Sequence, residues 1–494
     1  MELDKLDKKS LYQALCAKDV RFDGRIYVAV KSTKIYCRPI CRAKTPKIEN
    51  CDFYSLPAMA EKHGYRPCLV CRPELAPGQE LASAEIDSTA KLASQAMRRI
   101  EEGALNEQSV ESLAAEFGVS SRYLRKAFDV SFGVSPLELA QTCRLLQAKQ
   151  LLTETSLNIT DIAYSAGFSS LRQFNHVFQK RYRMAPRVFR KCLPGRDGAA
   201  NQLNEAHTLR IDYRPPLNWQ CLERFLSARA IAGVEHFESG RYQRTVRIGN
   251  HCGWLSVEPI TLKNRSAINV TISDDLVPVT LELLAKVKTL FDTRANTREI
   301  EALLRADRRL NPTVKKYSGM RLPGAFDGFE LLLRAILGQQ ISVKAATTLA
   351  GRCAAAFGQK IETPSPYLSY TTPMAERIAG ASIEKISALG LPRKRAETIK
   401  TAARLSAEGQ LTLMPGADPE RIASKLIEIP GIGEWTADYV AMRALDWPDA
   451  FPSGDLGVKK ALKLTRRKDI LAEAEKWRPF RAYATMYLWL SLAN

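Results

Sequence analysis

The chain has 494 residues, enough for about three or four domains of ~100 to 200 residues each, so no single function need span it. Its formal net charge of +20 predicts attraction to a polyanion, although charge alone does not separate DNA from RNA or an acidic membrane surface. The start from Met1 to Lys9 is charged rather than apolar, and the longest aromatic and aliphatic run, Tyr483 to Leu492, falls well short of the ~20 residues a membrane-spanning helix needs. The expectation is a cytoplasmic, nucleoid-associated protein with no membrane partner.

Two short-spaced cysteine pairs come first, Cys37-x3-Cys41 and Cys68-x2-Cys71. Four thiolates grouped in this way suit one tetrahedral Zn2+ holding a small module together. Two disulfides or an iron-sulfur cluster would use the same residues. With no secretory signal and the other cysteines scattered singly, zinc is favoured. Lys31, Lys34, Arg38, Arg42 and Lys44 crowd the first pair and Tyr36 adjoins Cys37, which a bare zinc staple does not require.

The run Ile35-Tyr36-Cys37-Arg38-Pro39, Cys41-Arg42-Ala43-Lys44-Thr45-Pro46 and Arg66-Pro67-Cys68-x2-Cys71-Arg72-Pro73 resembles the Ada-type methylphosphotriester-repair domain, over about 1 to 78. The resemblance implies that Cys37 takes the methyl group of a methylated DNA phosphate irreversibly, and the basic neighbourhood of the first pair puts Arg38 and Arg42 forward as DNA contacts. Zinc keeps sulfur in its nucleophilic thiolate form, which agrees with that role. Methylation also removes one negative charge near phosphates, so DNA affinity is expected to rise.

Next, Ser88 to Arg99 reads as a helix. Val110 to Gly118 has helical periodicity ended by glycine and restarted after a serine cap, and Ile159 to Ser170 repeats the pattern. These two helix-turn-helix units, joined by Leu137 to Leu152, resemble the AraC/XylS DNA-binding domain, assigned to 84–192. Leu124 with Phe128, and Phe174 with Phe178, are four residues apart and should face inward. Ser121, Arg122 and Arg125, then Arg172, Gln173 and His176, should face the major groove of promoter DNA.

A polar linker is expected at 193–207. Beyond it Leu209 to Tyr213, Tyr242 to Ile248, Gly253 to Val257 and Ala267 to Ile272 read as strands, with a helix over Leu217 to Ala228. This α+β segment, 208–305, shows no catalytic signature. From Leu281 the chain reads as almost wholly helical.

In the last segment, 306–494, Ile427 to Ala437 contains Pro430-Gly431-Ile432-Gly433, a tight hairpin between helices whose glycines let backbone N–H groups approach a phosphate. Asp455 follows in Ser453-Gly454-Asp455-Leu456-Gly457. With Leu337-Gly338-Gln339-Gln340-Ile341-Ser342, Tyr439 and Trp477-Arg478-Pro479-Phe480, this pattern resembles the helix-hairpin-helix DNA glycosylases of the 3-methyladenine type, counting 208–305 as their accessory domain. The resemblance implies that Asp455 is the catalytic carboxylate, that Gly431, Gly433 and Gln340 contact DNA, and that Trp435, Tyr439 and Trp489 wall a pocket for a flipped, alkylated base. Read locally, Asp455 is also a helix N-cap, a role compatible with an ionised carboxylate. Trp435 stands where bifunctional relatives carry a Schiff-base lysine, which implies a monofunctional glycosylase. The single cysteine of this segment, Cys353, excludes the iron-sulfur cluster found in some relatives. Glutamine at 340, where the family places a wedge, is less apolar than leucine.

The whole reads as a multidomain, mainly α protein: a small zinc-bound α+β module, a double helix-turn-helix domain, an α+β accessory domain and an all-α glycosylase domain. Its expected partners are double-stranded DNA, as alkylated DNA and promoter sites, and RNA polymerase, with the chain acting as a monomer. The alternative is a non-enzymatic transcription factor with a structural zinc site and an inactive glycosylase domain.

Overall fold

A computed structural model describes residues 7–79, 88–193, 206–262 and 265–492, so 194–205 of the expected linker lies outside the described residues. The chain divides into two compact units, Met1–Pro215 with Ile260–Ala285, and Pro216–Pro259 with Lys286–Asn494. The α+β segment expected at 208–305 contributes residues to both.

In the first unit, helices α1 (Lys8–Cys16) and α2 (Pro57–Lys62) accompany strands β1 (Tyr27–Val30), β2 (Ile35–Cys37), β3 (Cys51–Tyr54) and β4 (Arg66–Pro67). The sheet order is β3-β1-β2-β4, with β1 antiparallel to β2 and β3, and β2 parallel to β4. Val28 pairs with Cys37 in register, so β2 delivers the first cysteine at its end. These strands are too short for a period to show in sequence.

Helices α3 (Ser88–Glu101), α4 (Ala104–Glu107), α5 (Val110–Glu116), α6 (Ser121–Phe132), α7 (Pro136–Glu154), α8 (Ile159–Ser165), α9 (Leu171–Tyr182) and α10 (Pro186–Lys191) follow. Their starts are chemically marked. Ser109, Ser120, Asn158 and Ser170 each accept a backbone N–H from the first turn, and Ser135 with Glu138 forms a reciprocal capping box on α7. Leu124, Phe128, Phe174 and Phe178 are fully buried, as their four-residue spacing requires. The unit also holds β5 (Ala206–Asp212), antiparallel to β9 (Arg265–Ser273).

The second unit contains α11 (Trp219–Ser227) and the antiparallel β6 (Glu235–Glu238), β7 (Arg241–Ile248) and β8 (His251–Leu262). β6, two of whose four residues are glutamate, has no strand signature in sequence. Helix α12 (Thr280–Leu290) begins in the first unit and ends in the second, where helices run almost without interruption: α13 (Thr297–Leu304), α14 (Asn311–Lys316), α15 (Gly328–Leu337), α16 (Val343–Phe357), α17 (Ala375–Ala379), α18 (Ile383–Ser387), α19 (Arg393–Ala407), α20 (Pro419–Ile427), α21 (Glu434–Arg443), α22 (Leu456–Leu462), α23 (Arg467–Ala474) and α24 (Arg481–Ser491). Their apolar faces meet in one large core around Leu332, Ile336, Ile399, Leu426, Val440, Val458 and Tyr487. Among the described residues no helix is long and apolar enough to cross a membrane.

Candidate functional site

The four cysteine sulfurs of the first unit lie within 4.8 Å of one another. Four sulfurs at Zn–S distances of ~2.3 Å would stand about 3.8 Å apart, so the cluster suits one tetrahedral ion. None of the chain's cysteines is disulfide-bonded. Cys41, Cys68 and Cys71 are buried while Cys37 is half-exposed, which leaves Cys37 the sulfur open to an incoming group. The Arg38 and Val70 amides donate to Cys71 Sγ (3.3 Å) and Cys68 Sγ (3.4 Å), as suits metal-held thiolates.

The surroundings divide the expected basic patch. Arg42, Lys31, Lys34 and Lys44 are exposed. Arg38 is not. It is 1% exposed, bound to Asp23 through Nε (2.7 Å) and Nη2, and to Asp212 through Nη1 (2.7 Å). The expectation that Arg38 contacts DNA is therefore corrected: a guanidinium held by two buried carboxylates cannot reach a phosphate without breaking both pairs. Tyr36 is likewise core, its hydroxyl donating to Glu61 (3.0 Å).

On α6, Arg122 and Arg125 are exposed and Ser121 is half-buried; on α9, Arg172, Gln173 and His176 are exposed. Three of these carry local partners, the Ser121 hydroxyl accepting from Arg125 (3.3 Å). Arg125 pairs with Glu111 (2.8 Å), and the Gln173 carbonyl accepts from the Ser169 hydroxyl (2.8 Å).

In the second unit, one cavity of about 970 Å³ gathers Gln340, Gly431, Gly433, Trp435, Tyr439, Asp455 and Trp489 on its walls. The hairpin between α20 and α21 forms because Gly431 adopts φ +92° and a Cβ there would stand 2.3 Å from Thr398 Oγ1. Thr398 instead donates to the Pro430 carbonyl (2.7 Å), and Gln339 donates to that of Gly431 (2.9 Å). Gly433 caps α21, leaving its first amides available to an anion. Gln340 is exposed at φ +60° after α15.

Asp455 caps α22, accepting the Val458 amide on Oδ1 (2.9 Å). It also accepts two indole N–H groups, Trp489 Nε1 on Oδ1 (2.8 Å) and Trp435 Nε1 on Oδ2 (2.9 Å). Both carboxylate oxygens thus act as acceptors, and the three N–H groups fix the orientation of the side chain. Glycine at 457 permits this, since a Cβ there would lie 2.8 Å from the Trp489 ring and 3.0 Å from Asp455 Oδ1. Trp435 stacks on Tyr439, centroids 5.4 Å apart and planes within 8°.

Four protein-family models match the chain: "Metal binding domain of Ada" at residues 10–74, "Helix-turn-helix domain" at 113–191, "AlkA N-terminal domain" at 208–327 and "HhH-GPD superfamily base excision DNA repair protein" at 333–477. The probable bifunctional transcriptional activator/DNA repair enzyme AlkA of Mycobacterium tuberculosis is 35% identical over 492 residues, covering 99% of this chain and 97% of that protein. The chain belongs to the family of bifunctional transcriptional activator/DNA repair enzymes. DNA-3-methyladenine glycosylase 2 of Escherichia coli is 34% identical over 56% of this chain and 95% of its own length. A solved structure, the 3-methyladenine DNA-glycosylase of Archaeoglobus fulgidus, shares the fold with a TM-score of 0.50 and 24% identity, over 57% of this chain and 97% of that one. This member of the family thus joins a metal-binding domain, a DNA-binding regulatory domain and a base-excision domain in one polypeptide, and its four cysteines fit one zinc ion.

Several residues that line the cavity or bond its walls carry no mark of that place in the sequence. Arg443 is buried on α21 and donates to Tyr439 Oη (2.7 Å) and to the carbonyls of Pro323 (2.7 Å) and Gly324 (2.8 Å). Arg229 and Arg334 line the same wall. Burial pushes the Tyr439 phenol up, but Arg443 and Arg229 outweigh it and hold it below its ordinary value. Phe225 stacks near Trp489 and carries the Arg229 guanidinium 3.8 Å above its ring. Phe225 lies on α11 and Arg229 two residues beyond its end, four positions apart in the sequence.

Proposed function

We propose that this protein repairs alkylated DNA at two separate sites and activates transcription from promoter DNA. At the first, Cys37 takes the methyl group of a DNA methylphosphotriester. The sulfur–carbon bond forms as the carbon–oxygen bond breaks, and the phosphate oxygen leaves with the electron pair. Bound zinc supplies the thiolate state at neutral pH. Cys41, Cys68 and Cys71 are its other ligands, and Arg42 with the neighbouring lysines attracts the phosphate backbone.

At the second, the protein hydrolyses the N-glycosidic bond of alkylated bases such as 3-methyladenine. Gly431 and Gly433 present amides to the backbone, Gln340 occupies the rim, and Trp435, Tyr439 and Trp489 enclose the base. Asp455 stabilises the oxocarbenium-like sugar and assists attack by water. With tryptophan at 435 no amine forms a Schiff base, so the product is an uncut abasic strand. Ser121, Arg122, Arg125, Arg172, Gln173 and His176 read promoter DNA, with RNA polymerase as the downstream contact and the chain a cytoplasmic, nucleoid-associated monomer. The boundaries proposed for these activities are 1–78, 84–192, 208–305 and 306–494, with the linker at 193–207.

The observation that carries the glycosylase reading is Asp455 oriented by two indole N–H groups on the wall of the cavity. The test is chromatography of free base after incubation with methylated duplex DNA, with strand integrity read on a gel. Release of 3-methyladenine from an unbroken strand is expected. No released base, or cleavage without alkali, would contradict the reading.

A further inference from the structure

The zinc-binding module leans on residues far outside it. Arg38 directly follows Cys37, and its amide donates to Cys71 Sγ (3.3 Å). Its guanidinium bridges Asp23, the Cys71 carbonyl (3.3 Å) and Asp212 Oδ2 (2.7 Å), the last on β5 and 174 positions along the chain. Two further arginines of the β5–β9 region reach the module. Arg214, just beyond β5, donates to the carbonyls of Asp23 (2.9 Å) and Gly78. Arg265, opening β9, donates to the Val70 carbonyl (2.8 Å) between Cys68 and Cys71. Each cysteine-bearing loop is therefore gripped from the strand pair.

We propose that the β5–β9 strand pair is a working part of the methyl-accepting site, with Asp212 a positioning residue that acts on Cys37 through Arg38. This rests on the acceptor reading above and extends that site beyond the zinc module. Two physical effects give Asp212 its influence. First, Asp23 and Asp212 offset part of the positive charge of Arg38 and of Arg210, whose Nε lies 3.1 Å from Asp212 Oδ1; neutralising Asp212 makes the surroundings of the cysteines more positive by one charge. Nucleophilicity of a sulfur that is already thiolate falls as its basicity falls, so an added cation slows it. Second, Arg38 loses one of its two charged partners and the loop carrying Cys37 is held less firmly. Misplacement of a reacting atom by ~1 Å costs on the order of 100-fold in rate.

The test uses the full-length, zinc-loaded chain as wild type, Asp212→Asn, Asp212→Glu and Arg265→Gln. Methyl uptake from methylated DNA is followed by intact mass, deuterium uptake by the peptide spanning 36–42, and zinc loss with a chromogenic chelator. Asp212→Asn should accept methyl about tenfold to 100-fold more slowly and exchange faster over 36–42, while releasing bases at the wild-type rate. Asp212→Glu should recover most of the lost rate, and Arg265→Gln should lose zinc faster. Wild-type methyl uptake by Asp212→Asn overturns the proposal, as does a loss that glutamate does not rescue, which would mark Asp212 as merely structural. A wild-type chain that takes up no methyl group sinks the acceptor reading instead; unchanged deuterium uptake and zinc loss in the variants sink the proposal independently of it.

Discussion

Asp455→Asn separates charge from shape at the cavity. The native carboxylate accepts three N–H groups, from Val458 and Trp489 on Oδ1 and from Trp435 on Oδ2. An amide offers one oxygen and one NH2. With the oxygen at the Oδ1 position, the Val458 and Trp489 bonds survive and the NH2 faces the Trp435 indole N–H, donor against donor. An unpaired buried donor costs about 1–3 kcal/mol, less at this half-buried position. The helix cap survives, because asparagine caps as well as aspartate. Rate responds differently, since removing one preorganised electrostatic stabiliser costs on the order of 100- to 1,000-fold. The expected result is a ~100-fold or larger drop in single-turnover excision of 3-methyladenine, with affinity for damaged DNA nearly intact because phosphate contacts lie elsewhere. Adding Trp435→Phe removes the orphaned donor and should recover stability without recovering rate. Filter binding and thermal melting on the same preparations complete the assay. Excision at the wild-type rate by Asp455→Asn would refute the reasoning and leave Asp455 a helix cap; loss of rate, binding and melting temperature together would indicate a folding defect.

Trp489→Phe keeps an aromatic wall but removes the donor to Asp455 Oδ1; excision should slow by roughly tenfold, about 1.4 kcal/mol of barrier, and an unchanged single-turnover rate would confine Trp489 to packing. Cys37→Ser, assayed with its zinc content, should abolish methyl uptake while base release continues; a zinc-loaded, fully active variant would show that another residue takes the methyl. Burial pushes the Asp292 carboxyl up to about 7 from 3.8. The folded chain therefore holds a proton there that the unfolded chain has released, so this group's contribution to stability is present below pH ~4 and lost as pH rises towards 7. Asp292→Asn retains an acceptor for the Tyr483 hydroxyl and the Leu322 amide, and melting curves at pH 5 and pH 8 should converge relative to wild type.

The paired helix-turn-helix units and the helical run after Leu281 were legible because their signals are local, and Gln340, Trp435, Tyr439, Asp455 and Trp489, which the family resemblance implied, line one cavity. The helical periodicity of Val110 to Gly118 and of Ile159 to Ser170, with the glycine stop and serine restart of the first, announced α5, α6, α8 and α9, and the Pro-Gly-x-Gly hairpin announced the approach to Asp455. Trp435 and Trp489 were legible as walls, but their donation to Asp455 was not, because three helices bring the partners together. Arg38 misled for the same reason. Beside a cysteine in a basic stretch it reads as a DNA contact, yet its carboxylates stand 15 and 174 residues away. Arg443 and Arg334 carry no signal at all, since their places are defined by distant acceptors: carbonyls and a phenol for Arg443, the Glu235 carboxylate and the Arg229 carbonyl for Arg334. The four short strands around the cysteines and the glutamate-containing β6 escaped because alternation needs more residues than they have.

The account's central claim is that one polypeptide carries two independent chemistries on alkylated DNA. The most direct measurement treats the intact, zinc-loaded chain with methylated duplex DNA, then takes its mass and maps the modified peptide while counting free bases from the same tube. The account predicts one added methyl group on Cys37 and continued turnover of released 3-methyladenine. A chain of unchanged mass, a methyl group on any other residue, or base release that stops when the protein becomes methylated would contradict it.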